Sequence, residues 1–242
     1  MKNIIYQTTK FALVFTLMFS HIAWSEDCIT LTNESGAQYF SCSSEGMKTF
    51  TFNGKIGFTD MSNNIVIPAK YDDAEDFSEG MARVAINGKY GYIDNKGNVI
   101  VPLIYQPHEH FGFHEGFAPV KLNGKIGFVN KEGKLVVPTI YDTSWEFNDG
   151  VVAVGRDGRF GYIDSTNKTI VPLIYDRVDS NGFQEGLAAV MLNQKYGFVD
   201  KTGKVVIPLQ FDDVIVDGFK NGTSFVWLNG KHFLIDKTGK HF

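Results

Sequence analysis

Residues 187–208 read Leu187-Ala-Ala-Val-Met-Leu-Asn-Gln-Lys-Tyr-Gly-Phe-Val-Asp-Lys-Thr-Gly-Lys-Val-Val-Ile-Pro208, and this stretch decides the fold. An apolar run from Leu187 to Leu192 alternates tolerably and stops at a turn, Asn193-Gln194. Lys195 to Asp200 returns, a second turn falls at Lys201-Thr-Gly203, and Lys204 to Pro208 leaves again. Short period-two runs punctuated by turn residues describe a three-stranded β-meander.

The same phrase recurs along the chain. Lys-x-Gly followed by an aromatic places a glycine at Gly57, Gly91, Gly127, Gly161 and Gly197, with Arg159 replacing the fourth lysine. Eleven residues later stand Pro68, Pro102, Pro138, Pro172 and Pro208, and three beyond these come Tyr71, Tyr105, Tyr141, Tyr175 and Phe211. Another glycine, usually after an acid, lies eleven residues before each marker, at Gly46, Gly80, Gly116, Gly150, Gly186 and Gly222, the last marker being replaced by Phe233. The period is 34 or 36. An insertion of two leaves every later strand residue facing the same side, as β structure requires.

Turn chemistry agrees. The first turn is Asn-Gly at 53–54, 87–88, 123–124 and 229–230, and Asp157-Gly158 in another unit. These pairs suit a type I′ hairpin, whose two central residues both need positive φ. The second turn is Asp-x-x-Gly or close kin, ending at Gly97, Gly133, Gly203 and Gly239, with Asn63 and Asn167 as the next best tolerators of that backbone region. A hydrophobic share of 43% excludes wholesale disorder, and 25 Gly against 7 Pro excludes collagen-like character. The 21 Phe imply many small aromatic-lined cores.

The recurring Asn-Gly-Lys-x-Gly-Phe/Tyr, Asp-Lys-x-Gly, Val-Ile-Pro, Tyr-Asp and Phe-x-Glu-Gly resemble the bacterial WG (KWG) β-strand repeat family. The resemblance covers about residues 46–242, five full units and a truncated sixth. The family's tryptophan before glycine is here Ile56, Tyr90, Ile126, Phe160 or Tyr196. The resemblance implies an exported or surface-associated interaction scaffold and no defined catalytic activity.

The expected fold is all-β, an array of five to six three-stranded antiparallel units of 34–36 residues sharing apolar faces. An open twisted array or solenoid is favoured over a closed propeller-like ring, because propeller blades usually run about 40 to 50 residues with four strands. Closure stays as the alternative, since the sixth unit ends at Phe242 without its Val-Ile-Pro strand and an N-terminal hairpin could take that place.

Residues 1–25 have the form of a secretory signal. Lys2 and Lys10 precede an apolar run from Phe11 to Phe19, and Ala23-Trp24-Ser25 offers a cleavage site after Ser25. The run is too short to span a bilayer, which takes about 20 residues. A periplasmic or secreted protein is therefore expected. In an oxidising compartment Cys28 and Cys42 should bridge a hairpin at 26–45 that precedes the array, contributing about 3 kcal/mol by loop entropy.

Catalytic signatures are absent from the sequence: no phosphate-binding loop, no G-x-S-x-G, no H-E-x-x-H and no Cys/His nucleophile set. A non-enzymatic protein without a cofactor is expected. One cluster breaks the repeat, Pro107-His108-Glu109-His110-Phe-Gly-Phe-His114-Glu115. His108, His110 and His114 could hold a transition metal, or form a solvated loop.

Charge is segregated along the chain. Segments 69–79, 103–115, 139–149, 173–185 and 209–221 hold 16 of the 27 acids but only Lys70, Arg177 and Lys220 among bases, whereas other lysines gather at the turns. Units stacked in register would set lysines in rows on one border. Candidate binding residues are Lys89, Lys125 and Lys195 on the turns, with Trp145, Phe111 and Phe113 in the linking segments. The expected function is a monomeric exported scaffold that binds a protein or an anionic envelope polymer, with no nucleic acid partner and no membrane span. A metal or small-ligand binder using the histidines is the alternative.

Overall fold

The computed structural model describes residues 29–32, 38–109, 112–215 and 218–242. The leader at 1–25, Cys28, His110 and Phe111 lie outside the described residues. So the bridge, the complete histidine set and one aromatic candidate are not placed. Within the described residues there is no helix; six antiparallel sheets follow one another along the chain.

The sequence period is the sheet. In the fifth sheet Leu187–Leu192, Lys195–Asp200 and Val205–Phe211 form the meander read from the sequence, and Arg177–Val178 adds a two-residue fourth strand at its edge. The second sheet has the same plan, with Asp73–Ala74, Met81–Ile86, Lys89–Asp94 and Val99–Tyr105. So does the fourth, with Thr143–Ser144, Val151–Arg156, Arg159–Asp164 and Thr169–Tyr175. The sixth keeps the short strand Asp213–Val214 beside Thr223–Leu228 and Lys231–Asp236. The third has only Phe117–Leu122, Lys125–Asn130 and Leu135–Tyr141. In the first, the N-terminal hairpin of Ile29–Thr32 and Gln38–Ser44 pairs onto Met47–Phe52 and extends the sheet to five strands. That hairpin joins the first sheet and does not complete the last.

Turns hold the meanders as the residue types demand. Gly97, Gly133, Gly203 and Gly239 have φ of 82°, 75°, 82° and 83°, and Asn63 and Asn167 both take 66°. The aspartate opening most second turns accepts backbone amides, as Asn130 does in the third unit; Asp94 takes those of Lys96 and Asn98 at 2.9 and 2.8 Å. A third tight turn is built at the acid–glycine step, where Glu79 and Gly80 both have positive φ and Ser78 bridges Met81.

The marker glycine and proline belong to one device. Opposite Gly91 the third strand bulges, with Tyr90 paired to Tyr105 and Tyr92 to Val101. The extra residues there include Pro102, and the Val101 carbonyl oxygen would lie 2.4 Å from a Cβ at Gly91. Proline is tolerated where the ladder is already interrupted, and glycine where two backbones approach.

Both faces of most meanders are buried, which explains why Leu187-Ala-Ala-Val-Met-Leu192 alternates only loosely. Ala188 and Val190 pack toward the fourth sheet, while Leu187 and Ala189 pack toward the sixth. Five such cores join the six sheets in sequence, each made by two neighbours. A closed ring of six sheets needs a sixth core between last and first, and no such core occurs among the described residues. The array is open. Its last sheet accordingly leaves Phe225 44% and Trp227 37% exposed on its outer face.

Candidate functional site

The acids and bases that segregate in sequence meet in space. Lys55, Lys125, Arg159 and Lys195 form ion pairs with Asp72, Asp142, Asp176 and Asp212, each 17 residues on. The second carboxylate oxygen of each aspartate accepts the first-turn amide of the next unit, from Asn87, Asp157, Asn193 or Asn229. One acid thus ties two consecutive hairpins. The lysine hydrogen bond holds the carboxyls of Asp72, Asp142 and Asp212 below the usual range.

A second ladder runs along the acid–glycine turns. Glu79 accepts the Gly116 amide at 2.9 Å and pairs with Lys131 at 3.0 Å. Glu115 accepts the amides of Asp149 and Gly150 at 2.7 and 2.9 Å, and Glu185 accepts Gly222 while pairing with Lys237. Two of the turn lysines named from the sequence, Lys125 and Lys195, are thus met by acids 17 residues on. Lys89 differs, because Gln106 stands where the other units have the stapling aspartate. Its side-chain oxygen still accepts the Gly124 amide at 2.7 Å but offers Lys89 no charge.

Gln106 begins a departure from the repeat within the third unit. In the fourth sheet Thr143 pairs with Gly155 and Ser144 with Val154. The corresponding positions of the third unit hold Pro107 and His108 on the short segment and Lys121 and Val120 on the strand beside it, with Pro119 in the place of Ala153, which accepts the Trp145 amide in the fourth sheet. In Phe117–Leu122 the hydrogen-bonded partners in the hairpin are Leu122, Val120 and Ala118, so the intervening Pro119 and Lys121 turn their backbone outward. Pro107 and Pro119 both lack the N–H that this outer ladder needs. Pairing shrinks to the single bridge of Gln106 with Lys121. Among the described residues the Glu109 amide meets no carbonyl, whereas its equivalents Glu75, Trp145, Asp179 and Ile215 donate to Arg83, Ala153, Ala189 and Phe225.

A groove of about 850 Å³ opens there, lined by Arg83, Pro107, His108, Glu109, Lys121, Ile126, Asp142, Thr143, Ser144 and Trp145. Arg83 is 6% exposed. Its guanidinium pairs with Glu75 at 2.6 Å, donates to the His108 carbonyl at 2.9 Å and lies 4.5 Å from the centre of the Tyr90 ring. Tyr90 in turn donates to Asp73 at 2.9 Å. Burial raises the Glu75 carboxyl to about 7, against the opposing pull of Arg83. Ser144 is 3% exposed, and its hydroxyl has no hydrogen-bond partner within the protein. Trp145 is half-buried, with its ring centre 6.0 Å from that of Phe160.

Of the residues proposed from sequence, the groove gathers His108 and Trp145. Phe113 is a core residue, 2% exposed and edge-on to Tyr92 at 5.0 Å, so it is no surface contact. The His114 ring is engaged by the Phe147 carbonyl at 2.6 Å. Among the described residues no three His, Cys, Asp or Glu side chains lie close enough to hold a metal. Arg83, Glu75 and Ser144 escaped the sequence reading. The signal was present in the repeat: Arg83 occupies the place of Thr49, Pro119, Ala153, Ala189 and Phe225, and Ser144 that of Ala74, Val178 and Val214.

Comparison with known proteins agrees with the period. The family described as WG containing repeat matches residues 56–90, 90–125, 126–159, 160–196 and 196–231. No curated protein matches the chain. Among solved structures it is similar to a eukaryotic initiation factor at 11% identity, over 93% of this chain and 66% of that one, with a TM-score of 0.46. It is similar also to Kluyveromyces lactis Hsv2 at 10% identity, over 80% of this chain and 71% of that one, with a TM-score of 0.42. Each family match begins at the residue before a marker glycine or beside it, and together they take in most of the length: the chain belongs to the WG containing repeat family.

Proposed function

We propose that this protein is an exported, non-enzymatic binding scaffold that holds a protein or envelope polymer in the groove beside the third unit. The observation that carries this reading is that, among the described residues, the third sheet alone of the second to sixth lacks the short strand, and a groove of about 850 Å³ lies at that break. Elsewhere the outward acids and bases tie unit to unit, which leaves the paired turn lysines poor ligand-binding groups. A rigid stack supporting one irregular edge suits binding, because little conformational freedom is lost when a ligand arrives.

The test is capture from an envelope extract by the immobilised protein. Material should bind to the wild type and be lost with Trp145→Ala, while Lys195→Glu should capture as before. Equal capture by Trp145→Ala would overturn the groove as the site. Export belongs to the same reading: the secreted chain should begin at Glu26, as N-terminal sequencing would show, and denaturation without reductant should expose no thiol from Cys28 or Cys42.

A further inference from the structure

We infer that the groove takes a neutral saccharide; the inference rests on the groove being the binding site and adds the class of ligand. The Ser144 hydroxyl is the first ground. It is almost wholly buried, lines the groove and lacks a partner in the protein, at a position where other units carry Ala74, Val178 or Val214. An unsatisfied buried hydroxyl is costly, so a ligand that bonds to it gains more than one meeting an already satisfied group.

Beside it, Trp145 supplies an apolar plane with a polar edge. A pyranose ring has the complementary form, with C–H groups on a face and hydroxyls around its rim. Charge supports a neutral ligand. Of the lining cations Arg83 is paired to Glu75, and Lys121 faces a lining that also holds Glu109 and Asp142; Asp142 is itself paired to Lys125. Two cations and two carboxylates give no bias toward an ionic partner. The volume, about 850 Å³, lies within the roughly 300–1,000 Å³ of small-ligand sites.

An extended peptide fits less well. Strand addition needs alternating N–H and C=O groups on an open edge, and Pro107 and Pro119 remove donors from this one. The Pro119 carbonyl is already approached by the Tyr92 hydroxyl at 3.4 Å.

Calorimetric titration of the full protein with cellotriose, maltotriose and tri-N-acetylchitotriose, and with an alternating Thr-Val hexapeptide, tests this. At least one trisaccharide should bind, with affinity about tenfold lower in Ser144→Val, the change expected for one hydrogen bond. Because valine is the residue other units use there, Ser144→Val should melt no lower than the wild type, which separates lost binding from lost folding. Binding of the hexapeptide alone, failure of all three sugars, or equal affinity in Ser144→Val would overturn the saccharide reading. Groove-dependent capture from the envelope extract would still stand in the first two cases, so the two readings fail separately.

Discussion

Gly91 and its equivalents show why a marker residue recurs. Its backbone has no left-handed conformation to explain it; the constraint is the Val101 carbonyl, which a Cβ would meet at 2.4 Å. Gly91→Ala should therefore destabilise by about 3 kcal/mol, the upper end for overpacking against a backbone that cannot move aside. Denaturant melts would show it. The opposite sign is expected at Gln194, which holds φ of 62° in a turn where other units place glycine. Gln194→Gly should stabilise by about 0.5–1 kcal/mol by removing that strain. The turn glycines were legible from sequence, because the residue type alone reports positive φ. The reason for Gly91 was not, because it lies in a strand bulge that exists only once the partner strand is in place.

At the scale of the element, the sequence showed which residues carry charge but not which meet. Lys125 and Asp142 are paired through the width of one meander, and Lys131 reaches Glu79 across units 52 residues apart. Such spacings follow from stacking register, which composition does not contain. Glu75 gives this scale a pH signature. Its folded pKa of about 7 exceeds the ordinary carboxyl value of 4.5, so folding favours the protonated carboxyl. That contribution is fully present below about pH 4.5 and is lost as pH rises through 7. Unfolding midpoints for the wild type should therefore fall between pH 4.5 and 7.5, and the fall should be smaller in Glu75→Gln. The stapling aspartates act oppositely: their depressed values mean that stability is lost as pH drops below the normal carboxylate range. Equal slopes for wild type and Glu75→Gln across the upper window would contradict the assignment.

For the whole molecule, stability is a sum of neighbour contacts, as in other linear arrays. Removing residues 212–242 deletes one of five cores and leaves the other four intact. The shortened chain should still fold, with a denaturant slope lower by roughly one fifth, since that slope follows the surface buried. The sequence carried this architecture well: the period, the turns and the shared faces are all present in it, whereas the choice between an open array and a closed ring is not. The groove was half legible. Pro107 and His108 stood out as breaks in the pattern, whereas Arg83 and Ser144 gained meaning only when each was set against its equivalents in a stacked unit. On the proposed reading, the regular units tie the stack together and the irregular third unit supplies the binding edge. The most direct test restores regularity with Pro107→Thr and Pro119→Ala, the residues found at 143 and 153, and measures capture of envelope material. The restored protein should melt at or above the wild-type temperature and capture nothing; undiminished capture by a well-folded double variant would contradict the groove as the site.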